Sequence, residues 1–161
     1  MTFLAMDQTF VDHIRAGGAN ANGQPAERAI SKGTGTPCRS CLSNVPEGEE
    51  MLICAARPFA TLHPYAETGP IFLCARPCKP WAGAGLPPIL HESPDYLIKA
   101  YGSDERIRYG TGEVLGRDVL AHAVAQRLAD PDNVFVDVRS ARNNCFLTRM
   151  RGPGQNLPVI R

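Results

Sequence analysis

Apolar positions recur along this chain with two different periods. From Asp7 to Ala16, Phe10, Val11 and Ile14 share one helical face, with Asp7 placed to cap the start and Gly17-Gly18 to stop it. Gly116 to Leu128 carries a clearer helix, with Leu120, Val124 and Leu128 at i, i+4 and i+8 and Asp130-Pro131 ending it. The other apolar runs are short and bounded by turn residues, as strands are. They are Met1 to Met6, Met51 to Ala56, Ile71 to Ala75 and Tyr96 to Tyr101. Arg106 to Tyr109 follows the last of these across Gly102-Ser103-Asp104-Glu105, which predicts a hairpin. Ala19 to Pro37 reads as loop with a brief extended piece at Glu27 to Ser31, and the prolines of Pro77 to Pro94 argue against helix there. Few helices among many strands, without a repeated βαβ spacing, predict an α+β fold. Its sheet is mainly antiparallel, with one or two helices packed on it, in a single domain over residues 1–161.

The last two strands, Val134 to Arg139 and Phe146 to Arg151, form a hairpin whose register the pattern itself constrains. Val134, Val136 and Val138 share one face. Pairing Ser140 with Phe146 brings Phe146 and Met150 beside them and turns Asp137, Arg139, Leu147, Arg149 and Arg151 the other way. A slip of one residue would set Arg149 and Arg151 among the valines, so the first register is preferred. It predicts a cationic, solvated sheet face with Asp137 paired among the arginines. No acidic residue follows Asp137, whereas Arg139, Arg142, Arg149, Arg151 and Arg161 do.

Composition narrows the classes of function. At 161 residues and 43% hydrophobic, the chain can bury a core without covalent staples, and its net charge of +1 argues against a general nucleic-acid or membrane-surface binder. The arginines have no aromatic ladder beside them, so single-stranded nucleic acid is not expected as a partner. Met1 to Phe10 lacks Lys and Arg and is interrupted by Asp7, unlike a signal peptide. No apolar run is long enough to span a bilayer. The expected location is cytoplasmic, with reduced thiols. There is no Gly-x-Gly-x-x-Gly, no phosphate loop and no His-Glu-x-x-His.

Four groups of residues could carry chemistry. Cys38-x-x-Cys41 and Cys74-x-x-x-Cys78 have the form of a four-thiolate zinc site, although Leu42 stands where a zinc knuckle commonly has glycine. Buried, unconnected thiols are the alternative. Cys38 and Cys41 alone, with Arg39 between them, could form a redox pair in which the cation favours a thiolate. His63, Tyr65 and Glu67 offer a base, a hydroxyl and an acid on one loop, suited to acid–base work or to holding a polar ligand. Arg139, Arg149 and Arg151 could grip a carboxylate or phosphate.

Pro37-Cys38-Arg39-Ser40-Cys41-Leu42, the long string Pro64-Tyr65-Ala66-Glu67-Thr68-Gly69-Pro70-Ile71-Phe72, Val138-Arg139 and Cys145-Phe146 follow one another in a characteristic order. In these motifs, over residues 25 to 151, the chain resembles the bacterial domain of unknown function family 1203. The resemblance implies no reaction. It does imply a His where this chain has Cys74, an exchange compatible with a zinc ligand or with a packing position.

Three functions follow as expectations. The first is a binding module for a small molecule or anion, using Arg39, His63, Tyr65, Glu67, Arg139 and Arg149. The second is a thiol-based or acid–base enzyme with Cys38, Cys41, Tyr65 and Glu67 as catalytic candidates. The third is a structural zinc domain with Cys38, Cys41, Cys74 and Cys78 as ligands, acting through protein interfaces.

Overall fold

The computed structural model describes residues 2–152. Eight strands and two helices follow in the order β1 (Thr2–Leu4), α1 (Gln8–Arg15), β2 (Glu27–Ile30), β3 (Glu50–Ala56), β4 (Gly69–Cys74), β5 (Asp95–Tyr101), β6 (Glu113–Gly116), α2 (Arg117–Leu128), β7 (Phe135–Ser140) and β8 (Phe146–Arg151). They form two antiparallel sheets, one ordered β1-β8-β7-β5-β6 and one ordered β2-β3-β4. The α+β expectation therefore holds, with its strands divided between two sheets. No helix among the described residues is long and apolar enough to cross a membrane.

Each sheet has its own helix and its own core. Leu120, Ala123 and Val124 of α2 pack on Ile98, Ala100, Val136, Val138 and Met150 of the five-stranded sheet. Val11 and Ile14 of α1 join Leu52, Cys54, Ile71 and Leu73 of the three-stranded sheet. Asp7 occupies the N-cap position of α1, but its side chain makes no capping hydrogen bond.

The register inferred for the last hairpin holds over Phe135↔Arg151, Val136↔Met150, Asp137↔Arg149 and Val138↔Thr148, and then fails. A bulge between Val138 and Arg139 pairs Arg139 with Phe146. The expected places of Phe146 and Leu147 are thereby exchanged. Leu147 joins the valines under α2, and Phe146 crosses into the core of the smaller sheet. One extra residue thus lets β8 serve both cores. Val134 precedes β7 and packs with Phe59, Tyr101 and Phe135 instead of with Val136 and Val138.

Two further expectations are corrected. Arg106 to Tyr109 makes only a single bridge, Tyr101↔Ile107, and the strand that lines β5 is Glu113–Gly116. The return begins normally, with the Arg108 amide donating to the Ala100 carbonyl. Thr111 Oγ1 then accepts the Ala100 N–H at 3.1 Å, which closes the ladder early. The face holding Asp137, Arg139 and Arg149 is not solvated: Asp137 and Arg149 are both 0% exposed and Arg139 is 5% exposed. The long β3–β4 connection covers it, bringing Phe59 over the Arg149 guanidinium and Glu67 against Arg139. Arg161 lies outside the described residues.

Candidate metal centre and the arginine network

Residues 37–44 form a tight two-armed turn. Pro37 bridges Asn44, the Cys38 amide donates to the Ser43 carbonyl at 2.9 Å, and the Leu42 amide donates to the Cys38 carbonyl at 3.0 Å. Closing this turn requires a left-handed residue just after Cys41. Leu42 supplies it at φ 52° while remaining fully buried, at a cost of about 1–2 kcal/mol. The backbone shape that glycine gives a zinc knuckle is therefore present without glycine, held by the burial of the leucine side chain.

A parallel bridge between Cys38 and Phe72 lays this turn alongside β4. Cys74 ends that strand, and Ala75-Arg76-Pro77 turns the chain back to Cys78. The sulfurs of Cys38, Cys41, Cys74 and Cys78 all lie within 4.8 Å of one another, and those of Cys38 and Cys78 are 3.9 Å apart. Four sulfurs bound tetrahedrally to one ion at about 2.3 Å would sit about 3.8 Å apart. A disulfide would need about 2.05 Å.

The surroundings of the sulfurs are polar. The Cys74 amide donates to Cys38 Sγ at 3.3 Å. Arg15, in the last turn of α1, brings Nη2 to 3.2 Å from Cys78 Sγ and donates from Nε to the Cys74 carbonyl at 3.1 Å. Hydrogen bonds from Cys41 and Cys74 hold the Cys38 thiol down at about 6, and bonds from Cys38, Cys41 and Cys74 push Cys78 lower still. Cys41 and Cys74 are pushed up, each chiefly by its bond to Cys38. Without a cation among them, four such closely spaced sulfurs cannot all be thiolates, because like charges at this distance disfavour one another.

Arg39 does not serve this cluster. It is buried, donates from Nε to the Phe146 carbonyl at 2.7 Å and from Nη1 to the Pro37 carbonyl, and burial pushes its pKa down to about 10. The guanidinium bonded to a sulfur is that of Arg15, whose role no sequence spacing signalled.

The polar residues of the His63–Glu67 loop part company. His63 Nε2 turns to Glu105 Oε2 at 3.5 Å while its Nδ1 accepts the Tyr65 amide. The Tyr65 hydroxyl meets that of Tyr109 at 3.0 Å on the surface. Glu67 reaches Arg139 Nη1 at 3.1 Å and Lys99 Nζ at 3.3 Å. One acid–base constellation is therefore not assembled from the three, but Glu67 and Arg139 do share a site. Beside them Arg149 grips Asp137 with both arms, Nε to Oδ1 at 2.6 Å and Nη2 to Oδ2 at 3.1 Å, and stacks on Phe135 with its guanidinium carbon 3.6 Å from the ring centre. Arg151 is only half-buried, in register with Phe135 and Thr2. Lys99 and Glu105 are participants that no sequence motif marked.

A two-sheet α+β domain with a converged cysteine quartet is the class these observations define. The family model for proteins of unknown function DUF1203 matches residues 35–151, most of the chain, and the chain belongs to that family. No curated protein and no solved structure matches it.

Proposed function

We propose that the chain is a metal-binding domain in which Cys38, Cys41, Cys74 and Cys78 hold a single zinc ion with a structural role. The observation that carries this reading is the convergence of four sulfurs, from two separate segments, to within 4.8 Å. Soft thiolate ligands in a closed tetrahedral set are the donor chemistry of structural zinc, and four protein ligands leave no open position for catalysis. On binding zinc the thiols would lose their protons to solvent, and four thiolates around one divalent ion would leave a doubly negative centre. Arg15 and the Cys74 amide are placed to offset that charge at Cys78 and Cys38, as groups outside the ligand set commonly do. The ion would clip the 37–44 turn to the end of β4 and to α1, so its contribution is to the shape of the smaller sheet. A reducing, cytoplasmic setting suits such a site.

Metal analysis of the purified protein is expected to give one zinc per chain, with four of the six thiols unreactive until a chelator is added. Cys74→Ala should lose the metal, whereas Cys74→His should retain one equivalent, because zinc accepts three thiolates and an imidazole. A protein that is metal-free when prepared under reducing conditions, and stays so when offered zinc, would overturn the proposal. If such a protein also lost two thiols on mild oxidation, it would be a redox pair instead.

A further inference from the structure

Where the two sheets meet, a cleft of about 370 Å³ opens between the start of β4 and the β7–β8 turn, with Glu67, Thr68, Arg139, Asn144 and Cys145 on its walls. We propose that it binds a small anion, a carboxylate or phosphate, on the Arg139 guanidinium. The site is separate from the metal centre and does not rest on it.

The argument begins with how Arg139 is held. It is 5% exposed, yet it lines the cleft. Its Nε is committed to the Asn144 carbonyl at 3.1 Å and to Asn144 Oδ1 at 2.9 Å, which fixes the plane of the guanidinium. Its Nη1 lies 3.1 Å from Glu67 Oε2, but neither atom has a hydrogen bond of acceptable geometry. The contact is a charge pairing with its directed N–H left over. A buried, unspent guanidinium donor is costly, and the usual remedy is an oxygen acceptor placed in line with it.

The charges point the same way. Asp137 is taken by the bidentate bond from Arg149, although it also lies 3.9 Å from Arg139. Glu67 is shared between Arg139 and Lys99. Two cations thus face one available carboxylate, leaving one positive charge in excess at a largely buried site. The cleft falls in the size range of small-ligand pockets, and a fixed guanidinium plane suits the forked oxygens of a carboxylate or phosphate. Glu67 is the more exposed partner, with 36% of its side chain accessible against 7% for Arg139. It is the internal competitor that an incoming anion would displace.

Cys145 reports on this cleft because its thiol is on the wall and partly accessible. The full chain is treated with iodoacetate, which is anionic, or with iodoacetamide, which is neutral, and alkylation at Cys145 is followed by peptide mass spectrometry. Relative to free cysteine, the iodoacetate-to-iodoacetamide rate ratio is expected to rise about tenfold, the lower end of electrostatic focusing in clefts. Inorganic phosphate should suppress that excess. Glu67→Gln should raise the ratio further and Arg139→Gln should return it to the free-thiol value. A ratio at Cys145 equal to that of free cysteine, unchanged by Glu67→Gln and by phosphate, would overturn the proposal. The Glu67→Gln and phosphate arms decide the matter even if Arg139→Gln fails to fold.

Discussion

Stripping the proposed zinc from the native protein is expected to lower its melting temperature by about 10 °C or more without abolishing the fold. A ligand that binds only the folded state stabilises it by RT ln(1 + [L]/Kd), about 4 kcal/mol when the ligand is present at a thousand times Kd. For a domain of this length each kcal/mol moves the midpoint by about 2–4 °C. Zinc fingers unfold outright without metal because they have almost no other core. Here Leu52, Ile71 and Leu73 are buried beneath α1, and the core under α2 contains none of the four cysteines. The loss should therefore be local. Hydrogen exchange is expected to accelerate over residues 37–44 and 74–78 and in α1, while β5, β7 and β8 stay protected. Scanning calorimetry of zinc-loaded and chelator-treated protein, both fully reduced, measures the shift. If demonstrable zinc release left the midpoint unchanged, the structural role would be excluded.

Asp137→Asn is expected to destabilise the protein by about 3–5 kcal/mol, the usual consequence of leaving a buried charge without its partner. Arg149 is 0% exposed, is sandwiched by Phe135 and Phe59, and spends two of its arms on Asp137. An asparagine keeps the size of the side chain and removes the compensating charge. The paired change Asp137→Leu with Arg149→Met should recover most of the loss, because a well-packed apolar pair avoids the desolvation that the ion pair only offsets. Urea unfolding of the single and double variants gives both numbers. An Asp137→Asn variant within 1 kcal/mol of the parent would mean that Arg149 is hydrated, contrary to its burial.

How far the chain could be read in advance differs from one region to another. α2 was legible because Leu120 and Val124 repeat at helical spacing and both are buried. The β7–β8 pairing was legible for four residue pairs, because arginines beside valines would have been intolerable. It failed at the bulge, since whether Phe146 or Leu147 faces α2 depends on a second core that hairpin periodicity does not contain. β6 was missed because Glu113–Gly116 is short and has little alternation. Tyr109, in the segment expected to be a strand, is 81% exposed.

The same division runs through the sites. The spacing of Cys38, Cys41, Cys74 and Cys78 marked these four as candidate ligands, since a tetrahedral thiolate site needs two close pairs. Whether the pairs meet depended on Leu42 accepting a left-handed backbone and on Cys38 lying beside Phe72. The abundance of arginine near the end of the chain was plain from the residues alone. Its burial was not, because the lid over Asp137, Arg139 and Arg149 comes from the β3–β4 connection, distant in sequence. Local periodicity and spacing thus determined the main helix, most of the strands and the candidate ligands of this protein. Its two sheets, the convergence of the four sulfurs and the covered arginine pair were decided by tertiary structure, because each arises where side chains far apart in the chain compete for the same buried space.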